Sequence, residues 1–128
     1  MSVVIDSSAL LQVVLDPNAG NLAERLVNEG LHAPAHVRVE AVNVLRRQRN
    51  AGVLSPAQAE EVLAAITAAP VHLWPFESVA GRAWELGENA TTYDAAYLAL
   101  AERLQAPLIT HDGKLARVPG STCVVEVF

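Results

Sequence analysis

"TTYDAAYLALAERLQAPLITHDGKLA", residues 91–116, carries the two periods from which the fold is read. From Ala95 to Ala101 every position is apolar, so "YDAAYLALAERLQ" predicts a helix that is central to the core rather than lying on its surface. Pro107 ends that pattern, and "PLIT" reads as a short buried strand. A helix feeding directly into such a strand is half of a β-α-β unit. Two carboxylates punctuate it: Asp94 in the first turn of the helix and Asp112 just past the strand.

Outward from this stretch the alternation recurs. "SVVI" is a β-branched strand halted at Asp6, and "SSALLQVVLD" is a helix that Pro17 closes. "NLAERLVNEG" predicts a helix capped by Gly30, "LHAP" a brief strand, and "HVRVEAVNVLRRQRN" a helix that begins near Pro34 or Ala35 and ends at Gly52. "SPAQAEEVLAAITAA" opens with Ser55 as N-cap and Pro56 at the first helical position. "VHLW" is a third strand, "ESVAGRAWELGENA" one further helix, and "CVVEVF" the last strand. Strands and helices in this order predict one α/β domain over residues 1–128, with a mainly parallel sheet and right-handed crossovers.

The chain is 52% hydrophobic and 18% charged with mean hydropathy +0.25, apolar enough to suggest that a partner covers part of its surface. A net charge of −5 argues against a nucleic-acid binder of the basic-patch kind. Basic groups are local instead: Arg46, Arg47 and Arg49 cluster in "VLRRQRN", and Lys114 and Arg117 follow Asp112. No apolar run approaches the roughly 18 residues of a spanning helix, and Asp6 interrupts the N-terminal one, so a cytoplasmic protein without membrane contact is expected. Cys123 reads as a buried free thiol.

Most of the fourteen acids fall on polar helix faces or in turns, but four do not. Asp6 and Asp112 stand at the carboxyl ends of apolar strands, on the rim where open parallel sheets bind ligands. Glu40 shares a helix stripe with Val37, Ala41 and Val44, and Asp94 opens the most apolar helix. Connectivity alone is taken to put Asp94 on the opposite rim from Asp112. Each acid also has a structural role open to it: Asp6 and Asp112 as turn residues or N-caps, Asp94 as the complement of a helix dipole, Glu40 as partner of Arg38 or Arg47.

Convergence of the four would be costly. One close pair of like charges costs about 4 kcal/mol at an effective dielectric near 20, against a domain stability of about 5–15 kcal/mol. Either protons or a divalent cation must then compensate. All-oxygen ligation suits Mg²⁺ or Mn²⁺, and such ions assist hydrolysis at phosphorus.

In this order the segments resemble the PIN-domain ribonucleases, specifically the VapC-type toxins of bacterial toxin-antitoxin pairs. "VIDSSALL" is similar to the family's opening strand and acid, at Asp6 with Ser7 beside it; "APAHVRVEAVNVLRR" to the segment of the second acid, at Glu40 with Asn43; and "TTYDAAYLALAERLQAPLITHDGKLA" to the segment of Asp94, Thr110 and Asp112. The resemblance implies a three-layer α/β/α domain around a parallel sheet of four or five strands, and it implies that Asp94 meets Asp112. It implies a Mg²⁺- or Mn²⁺-dependent endoribonuclease with Asp6, Asp94 and Asp112 at the metal, Glu40 as ligand or water-orienting base, and Ser7, Asn43 and Thr110 in support. It further implies a homodimer, a VapB-type antitoxin that inhibits it, and a heterotetramer or larger complex with that antitoxin. Only Asp112 follows the last strand of the motif, so the number of metal ions is open, as are the RNA and the cleavage sequence.

Other features point to less. His32 and His36 are separated by Pro34, which disfavours one zinc-binding helical face, and Trp74, Trp84, Tyr93 and Tyr97 read as core or dimer interface. His111 reads as an exposed loop residue; Arg46, Arg47 and Lys114 are candidate RNA-phosphate contacts, with a solvated helix face the favoured reading for the two arginines. A receiver would need an acceptor Asp that "VHLWPF" does not offer, and a dehalogenase-type phosphatase a second acid that "DSS" lacks, which leaves a non-catalytic binding subunit as the competing function.

Overall fold

The computed structural model describes residues 1–18 and 20–128. Five strands form one parallel sheet in the order β3-β2-β1-β4-β5: β1 (Ser2–Ile5), β2 (Gly30–Pro34), β3 (Val71–Trp74), β4 (Leu108–Thr110) and β5 (Val125–Val127). Six α-helices are present among the described residues: α1 (Ser7–Leu15), α2 (Gly20–Leu26), α3 (Val37–Asn50), α4 (Pro56–Ala68), α5 (Ala80–Leu86) and α6 (Thr92–Leu104). The sheet is the expected α/β arrangement at the upper strand number.

The chain walks from β1 outward through β2 to β3, then crosses back to β4 on the far side of β1. Right-handed crossovers in opposite directions put their helices on opposite faces, so α1–α4 form one layer and α5–α6 the other. The reversal between β1 and β4 is the topological switch point of the sheet, a place where ligands bind outside the strand carboxyl ends.

The core follows from composition. Val3, Val4, Ile5, Leu108 and Ile109 are buried on the two central strands, and α6 buries every residue from Ala95 to Ala101. Small alanines let this helix lie close to the sheet while Leu98, Leu100 and Tyr97 fill the space around it.

Several expected boundaries move. The helix read from "NLAERLVNEG" ends at Leu26; Asn28 takes the left-handed turn position (φ 64), so Gly30 is no cap and opens β2 instead. The stretch read as one helix from Glu77 is a 3-10 turn (Phe76–Ser78) followed by α5, because Pro75 sets the entry and Val79 leaves helical geometry. α3 begins at Val37, after His36. Cys123 is half-buried rather than buried, and desolvation raises its thiol pKa.

Candidate active site

Asp6 leaves β1 at the rim and caps α1, its Oδ1 accepting from the Ala9 amide at 2.9 Å and from Ser8 Oγ at 2.7 Å. Its Oδ2 accepts from Thr110 Oγ1, at the end of β4, at 2.5 Å. The side chain is 4% exposed, and that desolvation raises its pKa above the ordinary carboxylate value against the pull of Thr110, Ala9 and Ser8, with the Asp112 charge adding to the rise. The capping role and the site role therefore coincide in one residue.

Thr110 ties the two strand ends together. Its hydroxyl receives the Asp112 amide at 2.9 Å while donating to Asp6. Asp112 in turn accepts the Lys114 amide at 3.1 Å through Oδ1, starting a short 3-10 turn over Gly113–Arg117.

Asp94 lies on the same rim as Asp112, which corrects the connectivity argument. A crossover helix runs antiparallel to the strands it joins, so it starts at the rim where the preceding strand ended. Thr91 caps α6 by accepting the Asp94 amide at 3.1 Å, and the Asp94 carboxylate sits in the first turn. Lys114 Nζ is 3.5 Å from Asp94 Oδ2 and 3.5 Å from Asp112 Oδ2, a single ammonium shared by both acids. The two carboxylates, Asp94 foremost, hold the Lys114 pKa above its ordinary value.

Glu40, in the first turn of α3, accepts from Tyr97 Oη at 2.5 Å and lies 3.4 Å from His36 Nε2. Tyr97 is one turn beyond Asp94 on α6 and is 1% exposed; its burial first, and then Glu40 and Asp6, push the phenol pKa well up. Glu40 does not pair with Arg38, whose guanidinium instead reaches the carbonyls of Ile66 (3.0 Å) and Ala69 (2.6 Å) at the end of α4.

The rim thus brings Asp6, Thr110, Asp112 and Asp94 into one hydrogen-bonded and ion-paired set, with Glu40 joined to α6 through Tyr97. No three His, Cys, Asp or Glu side chains among the described residues close on a single point that could hold an ion. The donor chemistry nevertheless suits a hard cation: every acid offers only oxygen, and the Asp94–Asp112 pair already shares one positive charge. Ser7 neighbours the Tyr97 hydroxyl, and Asn43 is exposed on α3 without a side-chain hydrogen bond among the described residues.

Ser8 and the site role of Tyr97 escaped the sequence reading, and Lys114 was read as a phosphate contact rather than as a partner of the acids. Ser8, rather than Ser7, bonds Asp6, and it also receives the His111 amide at 2.9 Å. Tyr97 is core and site at once, a role signalled only by its position one turn from Asp94. Lys114 lies on carboxylates. The histidines divide: His32 accepts from Trp74 Nε1 at 3.0 Å on β2, while His36 packs edge-on to Tyr93 and Tyr97.

The PIN domain family model matches residues 3–121. Ribonuclease VapC12 of Mycobacterium tuberculosis is 37% identical over 126 residues, covering 98% of each chain. Ribonuclease VapC9 of the same species is 33% identical over 125 residues, covering 98% of this chain and 97% of its own. Among solved structures, PAE2754 from Pyrobaculum aerophilum superposes with TM-score 0.70 at 22% identity, over 98% of this chain and 89% of that one. VapBC2 from Rickettsia felis, bound to a DNA fragment from its promoter, gives TM-score 0.70 at 14% identity, over 99% and 98% of the two chains.

Proposed function

The chain belongs to the PIN-domain family and to the VapC ribonucleases within it, and from that premise we propose that it is the toxin of a toxin-antitoxin pair, hydrolysing RNA phosphodiester bonds with Mg²⁺ or Mn²⁺ at the acidic rim. The observation that carries the reading is the gathering of Asp6, Asp94 and Asp112 at the switch point between β1 and β4.

Asp94 and Asp112 are the residues that would hold the ion, with Asp6 binding it directly or through water. A divalent cation so placed lowers the pKa of a bound water and neutralises charge growing on the phosphate. The chain's own groups prepare for this. Ser8, Thr110 and the Ala9 amide fix the Asp6 carboxylate, so that its orientation is set before any ligand arrives. Tyr97 pins one oxygen of Glu40, which leaves the other to orient water or take its proton.

The partner follows from the family: a VapB-type antitoxin that inhibits the enzyme, with the toxin itself a homodimer. RNA cleavage by the purified protein with added Mg²⁺ or Mn²⁺ tests the function. Asp94→Asn should lose more than about 100-fold in rate, beyond the 10–100-fold typical of a residue that only supports a ligand. Equal cleavage by wild type and Asp94→Asn would mark a contaminant and return the chain to a binding role.

A further inference from the structure

Lys114 is the group that the family reading leaves without a task. Its side chain is 61% exposed, yet its ammonium lies equidistant from Asp94 Oδ2 at the start of α6 and Asp112 Oδ2 after β4. A flexible lysine side chain ordered between two carboxylates does there what a cation does: it cancels their repulsion and holds their oxygens facing one another. An arriving divalent ion needs the same oxygens.

Building on the nuclease reading, we propose that Lys114 is a built-in counter-ion of the Asp94–Asp112 pair, which a divalent metal must displace and which then serves the RNA phosphate. Three features support the exchange. The lysine backbone is anchored, since its amide donates to Asp112 Oδ1, so the ammonium stays near the site after it is displaced. Its side chain is exposed, so it can turn outward without breaking the core. The displaced charge has one natural destination, because a phosphate bound against the metal presents oxygens at the mouth of the same rim.

Two consequences follow. Without RNA, Lys114 competes with the metal, so the free enzyme binds it weakly. With RNA, the phosphate engages the lysine, and metal and RNA bind cooperatively. Lys114 then acts as a positioning residue that discourages metal loading when no substrate is present.

Calorimetric titration of Mn²⁺ into the metal-free protein tests this, using wild type, Lys114→Met and Lys114→Arg, each with and without a non-cleavable single-stranded 2′-deoxy oligonucleotide. Lys114→Met should bind Mn²⁺ about 3- to 10-fold more tightly than wild type, the scale of two partly exposed ion pairs removed. The oligonucleotide should tighten Mn²⁺ binding to wild type and to Lys114→Arg by a larger factor than to Lys114→Met. In chelator, Lys114→Met should also melt below wild type, and the difference should vanish when Asp94→Asn and Asp112→Asn are both present in each background. Unchanged or weaker Mn²⁺ binding by Lys114→Met, or equal melting in chelator, overturns the counter-ion role. Failure of the nuclease reading has a separate mark: Mn²⁺ binding that Asp94→Asn and Asp112→Asn leave unaltered, whatever Lys114→Met does.

Discussion

Asp6 shows how one side chain can be both a structural asset and a stability cost. As N-cap it satisfies an amide of α1, yet it carries a carboxylate at 4% exposure whose pKa is raised by that burial. A raised folded-state pKa means that ionisation opposes folding at neutral pH, and the penalty fades as pH falls through that value. Asp6→Asn keeps a capping oxygen and removes the charge, so in chelator it should melt above wild type at pH 7, with the gap closing as the buffer is taken below the ordinary carboxylate pKa. Thermal melts across that range check this; a gap independent of pH would mean that charge is not its source. The position of Asp6 was legible because a lone acid ending an apolar run is conspicuous in one dimension. Its partners were not: Thr110 lies 104 residues away, and Ser7 and Ser8 are indistinguishable until helix phase is known.

At the scale of elements, local signals were read well and long-range ones poorly. Ser55 caps α4 as expected, in a reciprocal box with Gln58 (3.1 and 2.9 Å), because everything that cap requires lies within four residues. The far end of the same helix is closed by Arg38, 28 and 31 residues upstream of the carbonyls it binds, and nothing in the periodicity of "AHVRVEA" foretells such a reach. Arg38→Met should therefore cost about 1–3 kcal/mol, as two carbonyls at the α4 terminus lose a charged donor, and chemical denaturation measures it. The Glu40–Tyr97 contact, joining α3 to α6 over 57 residues, escaped for the same reason. Asp94 was misplaced on different grounds, since helix direction in a crossover is a rule of topology rather than of residue type.

For the molecule as a whole, the sheet order places the acids. β1 and β4 are neighbours only because the chain reverses its walk, and that reversal puts Asp6 beside Thr110 and Asp112. A domain whose rim concentrates negative charge should be stabilised by the cation that relieves it. At a metal concentration 100-fold above Kd the gain is about 2.7 kcal/mol, and Mg²⁺ or Mn²⁺ should raise the melting temperature of wild type but not of Asp94→Asn/Asp112→Asn. The surplus of apolar composition also finds a place on the surface, where Trp84 (86% exposed), Val39 (72%) and Tyr93 (59%) lie open among the described residues.

The hydrogen bond between Thr110 and Asp6 spans almost the entire chain. During synthesis, the first acid emerges long before the strand that completes its surroundings in the folded chain. A polypeptide that stops short of β4 therefore lacks both the Thr110 hydroxyl that fixes Asp6 and the Asp112 carboxylate beyond it, so the centre exists only once nearly the whole chain has been made.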